Sequence, residues 1–265
     1  MSSFETAKGI AQMLIRQESQ HAVLTREIIA DVVGRVLATS EIFRSEIDPS
    51  RLVADLETDF SIWIGRETTL TDNQDHVAWL TAERKQGWAY WPRFRLYLEE
   101  IWPEASIQAL EDTTDRILGL LEDPRREGAW DRRGLVVGHV QSGKTANYTG
   151  LICKAADAGY SVIIVLSGLH NNLRSQTQLR MDEGFLGYDS LSMQSGGHIT
   201  SVGVGQFNPS IRPDTVTNRS DSGDFNRRVA NNFGINPGRL LLFVVKKNAR
   251  VLQNLLDWVK WASNS

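Results

Sequence analysis

The chain carries a single cysteine, Cys153, in 265 residues, which excludes an internal disulfide framework. Long apolar runs are also missing. None approaches the roughly 20 residues that a membrane helix needs, and the longest, Val162–Leu166 and Leu240–Val245, have the length of buried strands. The opening residues, Met-Ser-Ser-Phe-Glu-Thr-Ala-Lys, hold no basic stretch followed by an apolar one, which reads against a secretory signal. These absences point to a soluble, cytoplasmic protein with no membrane partner. Apolar residues make up 41% of the chain, a little under the usual roughly 45–50% on a count that includes glycine. That is still enough for a core, and the length suits one large domain or two small ones.

Charge of one sign is scarce overall: 29 basic residues stand against 32 acidic ones, a net charge of −3. The balance hides an asymmetry. Residues 1–133 carry 16 basic and 24 acidic side chains, a net −8, whereas residues 134–265 carry 13 and 8, a net +5. Such asymmetry can mark a nucleic-acid face; ordinary solvated surface explains +5 equally well.

What is present in the first half is helical texture. Thr6–Thr39 has apolar residues at three and four spacing and no proline, which predicts a helix. Ile47-Asp48-Pro49-Ser50 reads as a cap before a second helix over Arg51–Ile64. Thr68–Asp75 reads as a polar loop, and Ser106–Leu121 as another amphipathic helix ending before Asp123-Pro124. Between them lie Trp79, Trp88, Tyr90, Trp91, Phe94, Tyr97 and Trp102, with Arg93 and Arg95 among them. Interleaved rings and arginines can stack nucleic-acid bases. In an acidic half without a basic groove, the core of a helical domain is the better reading. We expect a helical N-terminal domain over residues 1–125 and a polar linker over Arg125–Arg133.

The texture then changes. Gly134–Val140 reads as a valine-rich buried strand, Lys144–Ala158 as a helix with Gly159 as its C-terminal cap, and Ser161–Leu166 as a second buried strand. Asn171–Glu183 reads as a helix, His198–Val204 as a strand and Asp224–Asn232 as a short helix. Arg239–Val245 is the clearest strand, and Ala249–Ala262 a helix with Val251, Leu255, Trp258 and Ala262 on one face. Strands alternating with helices imply a parallel sheet. The fold class expected is α/β: an all-helical N-terminal region, then a partial RecA-like P-loop sheet with flanking helices over residues 134–265.

Gly138-His139-Val140-Gln141-Ser142-Gly143-Lys144-Thr145 matches G-x-x-x-x-G-K-[ST]. By average composition a chance match in such a chain is on the order of one in a hundred. Glycines let the backbone approach phosphates without a Cβ clash. The successive amides of Gly138, Gln141, Ser142, Gly143 and Ala146, aided by a helix N-terminus, would cradle the β-phosphate of ATP. Lys144 would reach the β- and γ-oxygens, and Thr145 would ligate Mg²⁺. Hydrolysis also needs an acid at a strand end to hold the metal and orient water. No run of four apolar residues followed by Asp or Glu comes after the loop; the best strand ends in Lys246-Lys247-Asn248. The domain therefore reads as stopping short of its acidic motif, as the N-terminal part of a longer protein or as a module that binds nucleotide without hydrolysing it. His139, His170 and His198 have no metal-ligand spacing with Cys153.

The run from Gly134 through Lys144-Thr145-Ala146-Asn147-Tyr148 to Leu151 resembles the signature of the Z-one domain family, bacterial P-loop proteins often called endonucleases. The likeness continues through Lys154–Tyr160, Leu173-Arg174-Ser175-Gln176-Thr177-Gln178 and Val244–Asn248. Upstream it includes His76–Leu80 and Asp131–Gly134. It thus extends over most of residues 75–260. The resemblance implies a fold like that of superfamily-two helicases and a role in restriction or antiphage defence, beside MutL-like or MORC-like ATPases. It makes Gly138–Thr145 the first helicase motif. It makes Asn171, Arg174, Gln176 and Gln178 candidates for DNA contact or nucleotide sensing. Lys246, Lys247 and Asn248, at a strand's carboxyl end, would sit on the ligand-binding rim of an open sheet. Contacts to phosphate would position DNA without reading its sequence. Two functions follow: a DNA-dependent, helicase-like ATPase, or a nucleotide-dependent switch or scaffold that recruits a partner. A small-molecule kinase is a third and weaker reading. No Asp…Glu-x-Lys constellation supports a nuclease.

Overall fold

The structure, a computed structural model, describes residues 3–18, 25–60, 76–136, 144–194, 199–233 and 240–263. In chain order the elements are helices α1 (Ser3–Glu18), α2 (Arg26–Ala38), α3 (Glu41–Glu46), α4 (Pro49–Phe60), α5 (Tyr90–Glu99), α6 (Glu104–Leu120) and α7 (Lys144–Ala158). Strand β1 (Val162–Ser167), helices α8 (Asn171–Met181) and α9 (Ser190–Gln194), and strand β2 (Asp214–Thr215) follow. Helix α10 (Arg227–Ala230), strand β3 (Leu241–Lys246) and helix α11 (Ala249–Ala262) complete the order. The chain is thus a mixture of helices and a small parallel sheet, within the expected α/β class. It forms two compact units, one from residues 1–78, 98–122 and 129–150, the other from 79–97, 123–128 and 151–265. No helix among the described residues is long and apolar enough to cross a membrane.

In the first unit, α1 turns Ala7, Ala11 and Ile15 inward at four-residue spacing, and α2 buries Ile29, Val32, Val33, Val36 and Leu37. Ile47 and the Leu52, Val53 and Leu56 stripe of α4 complete this core. Each buried isoleucine, valine or leucine among them contributes about 1.5–3 kcal/mol on leaving water. The single helix expected over Thr6–Thr39 is instead α1 and α2. Thr25 ends the interval between them by accepting a hydrogen bond from the Ile28 amide at 3.4 Å, an N-cap that starts a new helix. The cap read at Asp48 is present: its carboxylate accepts from the Ser50 amide at 2.9 Å, and Pro49 takes the first helical position, where its missing N–H costs nothing. Helix α3 has no counterpart among the expected elements, and the loop read at Thr68–Asp75 lies outside the described residues.

In the second unit the sheet order is β1-β3-β2, all parallel, with Ser167 opposite Lys246 and Asp214 opposite Leu241. Strand β3 is buried along Leu241–Val245. Leu241, Phe243 and Val245 share one face by the two-residue period of a strand and pack with Leu255, Trp258 and Ala262 of α11. The rings of Phe243 and Trp258 lie 5.1 Å apart, and Phe225 sits 6.0 Å from Phe243. Strand β1 differs from the buried strand expected there; at the edge of the sheet formed by the described residues it leaves Ile164 39% and Leu166 46% exposed. The strand expected at His198–Val204 is a single bridge from Tyr188 to Ser201 followed by a tight turn over Gly203–Gln206. There Gly187, with φ of +81°, crosses Gly205 so closely that a Cβ on either would collide with the other's backbone. The helix expected over Asp224–Asn232 shrinks to α10.

The aromatic run is partly buried, but not as the core of one helical domain: Trp79–Tyr97 belong to the second unit and Trp102 to the first, and Trp88, Tyr90 and Tyr97 are half-buried. Trp79, Trp91 and Phe94 are buried, as is Trp102 in the first unit. Arg93 is buried as well and donates to the carbonyls of Phe185, Asn208 and Ile211. A guanidinium buried in this way is out of reach of a base.

Candidate nucleotide and nucleic-acid site

Helix α7 carries the end of the phosphate-loop motif. Gly138, Gln141, Ser142 and Gly143 lie outside the described residues, and Lys144 and Thr145 are the first two residues of the helix. A helix N-terminus at this point suits an anion, because its first-turn amides lack intrahelical partners. Thr145 is exposed and Ala146 half-buried, and a threonine at this position is the residue type that ligates Mg²⁺ beside a bound phosphate. In residue type and in the helix start at Lys144 the motif fits ATP with Mg²⁺. The approach to the motif differs from expectation. Gly134–Val136, read as the start of a buried strand, forms no strand, with Leu135 87% and Val136 50% exposed.

Farther along, α7 is anchored by residues that the motif alone does not reveal. The Asp157 carboxylate accepts from the amides of Ala89, Tyr90 and Trp91 at 2.7, 2.9 and 2.7 Å, capping α5. Burial raises its pKa against those bonds. Lys154 is fully buried with its Nζ 4.2 Å from the centre of the Trp91 ring. Cys153 donates weakly to the Gly184 carbonyl, and burial pushes its thiol pKa far up, which makes it an inert thiol. Gly159 ends the helix in the left-handed region, as expected, with its amide bonded to Ala155 and Ala156.

The second constellation lies at the carboxyl ends of β1 and β3, which the Ser167–Lys246 register brings level. Lys246 Nζ donates to Asn171 Oδ1 at 2.7 Å and lies 3.5 Å from Asp224 Oδ2. Asn171 opens α8, and Asn248 caps α11 by accepting from the amides of Arg250 and Val251. Lys247 and Gln176 are exposed. The structure therefore brings Asn171 and Lys246 together at a sheet rim where two helices begin, the usual ligand-binding edge of a parallel sheet. Asp224, which sequence reading misses, offsets part of the Lys246 charge. Its only signal in the sequence is a carboxylate in the Gly/Ser/Asn-rich stretch. Neither strand ends in a carboxylate, since β1 ends at Ser167 and β3 at Lys246.

Arg174 and Gln178 are not on this rim. Both are fully buried on the inner side of α8. The Arg174 guanidinium donates to the carbonyls of Asn218, Ser220 and Gly223. Gln178 accepts from Thr217 Oγ1 at 2.8 Å and donates to Asp182 at 3.0 Å. The expectation that these two face DNA is thus corrected. They close a loop onto the helix, while Leu173 and Leu179 of the same helix point outward.

Comparison of the chain with protein families, with curated proteins and with solved structures finds no match.

Proposed function

We propose that the chain binds ATP through Gly138–Thr145 and belongs to a DNA-dependent, helicase-like ATPase of the kind the Z-one resemblance implies. One observation carries the reading: a complete phosphate-loop motif whose Lys-Thr pair opens the 15-residue helix α7. Lys144 would neutralise β- and γ-phosphate oxygens, the first-turn amides would fix the β-phosphate, and the Thr145 hydroxyl would orient the metal. Bound Mg²⁺ supplies charge that stabilises the transferring phosphoryl group. Nucleic acid would meet the Asn171, Lys246, Lys247 and Asn248 rim together with exposed Gln176, through phosphate rather than base contacts. The same resemblance supports a role in restriction or antiphage defence, an endonuclease association and a MutL-like or MORC-like ATPase partner.

A second reading, a nucleotide-dependent switch that binds without hydrolysing, is favoured by the ends of β1 and β3. A serine and a lysine stand there, and phosphoryl transfer wants a carboxylate at such a strand end. The deciding experiment measures ATP binding and turnover with and without single-stranded and duplex DNA, using Lys144→Ala as control. Binding lost in Lys144→Ala, with turnover stimulated by DNA, supports the ATPase. Lys144-dependent binding without turnover supports the switch. A Lys144→Ala protein that binds ATP like the wild type overturns both.

A further inference from the structure

Residues 225–256 hold six basic side chains and no acidic one, in a chain whose net charge is −3. Of the six, Arg239 lies outside the described residues. Lys246 is half-buried and engaged with Asn171 and Asp224. The other four, Arg227, Arg228, Lys247 and Arg250, are exposed. Their placement follows from the core beneath them. Helix α10 turns Val229 and Ala230 into the cluster around Leu255 and Trp258, and α11 adds Val251 and Leu252 to it. The cations beside these side chains are left facing water. The acids at the two ends of the stretch are engaged: Asp224 lies 3.5 Å from Lys246 Nζ, and Asp257 accepts from Gln253 Nε2 at 2.9 Å.

The contact between Lys246 and Asp224 brings two segments to one place. Arg227 and Arg228 follow Asp224 by three and four residues, and Lys247 and Arg250 follow Lys246 by one and four. Four residues of chain span at most about 14 Å, so all four cations gather around the carboxyl end of β3. Phosphates recur about every 3.4 Å along each strand of a duplex, close enough for each cation to meet one. Arginine also presents a planar fork that binds phosphate oxygens in pairs. The neighbours decide which polyanion fits. Lying on a membrane calls for apolar side chains among the cations, and Leu256 is the one large apolar side chain exposed among the described residues of this stretch. Asn231, Asn232 and Asn254 are exposed there instead, and amides bond phosphate and sugar. We propose that Arg227, Arg228, Lys247 and Arg250 form a phosphate-binding track for nucleic acid at the carboxyl end of β3. The proposal rests on the nucleic-acid reading of the rim and deepens it: three arginines join that rim, and the ligand they hold is the sugar-phosphate backbone.

The test is the salt dependence of binding to short labelled single-stranded and duplex oligonucleotides of unrelated sequences, read by fluorescence anisotropy on the full chain. The variants are Arg227→Gln with Arg228→Gln, Arg250→Gln, Arg250→Lys and Lys247→Gln. Lys260→Gln is the control, ten residues past Arg250 and so about 15 Å farther along α11. Melting temperatures taken in parallel are expected to stay in place, because exposed charges are removed and no core is touched. Each lost cation is expected to flatten the slope of log affinity against log salt on duplex by about 0.9. Binding should weaken several-fold, alike for every sequence. Arg250→Lys keeps the charge and is expected to keep the slope, and Lys260→Gln is expected to change neither. A flattened slope in both arginine-to-glutamine variants supports the track. An unchanged slope in both, with flattening in Lys247→Gln, overturns the track while the nucleic-acid reading of the rim stands. A wild type that binds no oligonucleotide, or slopes that no variant changes, overturns both. Equal flattening in Lys260→Gln makes the effect one of net charge and overturns the track as well. Wild-type binding to phosphatidylserine vesicles that the arginine variants lose, with oligonucleotide binding intact, assigns the patch to a membrane surface and overturns it.

Discussion

Helices α1–α4 close on alanine, isoleucine, valine and leucine, with no ring among the fully buried members; the sheet of the second unit closes on Phe225, Phe243 and Trp258. The buried polar groups divide the same way. Among the described residues of α1–α4 no polar side chain is buried, whereas the second unit buries Arg93, Lys154, Arg174, Gln178, Asp182, Thr217 and Asn218. The helical core has its backbone hydrogen bonds made within each helix and needs only apolar faces that meet. The second unit holds a long irregular stretch whose carbonyls must find partners elsewhere. Guanidinium groups from α5 and α8 supply them. Many small, interchangeable contributions stabilise the first region; a few large, specific ones stabilise the second.

The largest expected contrast comes from truncating one residue in each core. Trp258 is fully buried between Phe243 and Phe225, so Trp258→Ala is expected to cost about 4–5 kcal/mol. Leu52→Ala in α4 is expected to cost about 2–3 kcal/mol, because Ala7, Ala11 and their aliphatic neighbours offer smaller shapes that can settle inward. Urea unfolding followed by circular dichroism reads both. Equal costs would mean that the two cores resist collapse alike. A finer version uses Trp258→Phe: the indole N–H of Trp258 has no hydrogen-bond partner among the described residues, so this variant should lose well under half as much as Trp258→Ala.

Next in size is Arg174→Ala. Three carbonyls of the 218–223 loop accept from this one guanidinium, and bonds to charged groups contribute more than neutral ones. The expected cost is about 3 kcal/mol, concentrated as faster amide exchange over residues 217–224. Arg174→Lys should rescue little, since an ammonium cannot present the planar fork that reaches spread acceptors. The variant also settles which role α8 plays. If Arg174→Ala leaves stability unchanged yet abolishes DNA binding, the inward placement of this side chain is not what matters to function.

These same residues mark what is legible in the sequence. Strand β3 and helix α11 are readable almost to the residue, because a continuous apolar run and a four-residue stripe through Leu255, Trp258 and Ala262 each have one physical solution. Gly159 is readable because a left-handed cap wants glycine. The aromatic run is readable only in part: several of its rings are buried, but nothing local assigns Trp79–Tyr97 to the unit that holds the sheet. Helix α8 misleads because periodicity assigns polar stripes to solvent. Here Arg174 and Gln178 turn inward to bond a loop more than 35 residues away, and nothing local announces that loop. Gly134–Val136 misleads in the opposite sense: an apolar composition suited to a strand lies exposed as coil. For the site, the motif announces Lys144 and Thr145 and the strand end announces Lys246. Asp224 depends on its pairing with Lys246, which spacing does not encode.

The smallest of these contrasts is a dependence on pH that the first region should lack. Asp182 is buried and accepts from Gln178 Nε2 through Oδ1, and from the amide and hydroxyl of Ser190 through Oδ2. Burial dominates over these bonds, the nearby Asp189 adds to it, and the carboxyl pKa rises from 3.8 to about 6. Folding therefore takes up a proton between these two values. The stability this group contributes is full below about pH 4 and is lost as pH climbs through about 6. Asp182→Asn has no such titration. The stability of wild type minus that of Asp182→Asn should thus be greatest near pH 4 and fall by roughly 2 kcal/mol on reaching about pH 7.5. A tenfold change in proton affinity between the folded and unfolded chain corresponds to about 1.4 kcal/mol, and relaxation of the site takes back part of it. Urea midpoints for the two proteins across that range read the difference directly. A difference that stays flat would place Asp182 at an ordinary carboxyl pKa and remove the cost of burying its charge. The α1–α4 core, with no buried titratable side chain among its described residues, provides the control: Leu52→Ala should shift stability by the same amount at every pH in the series.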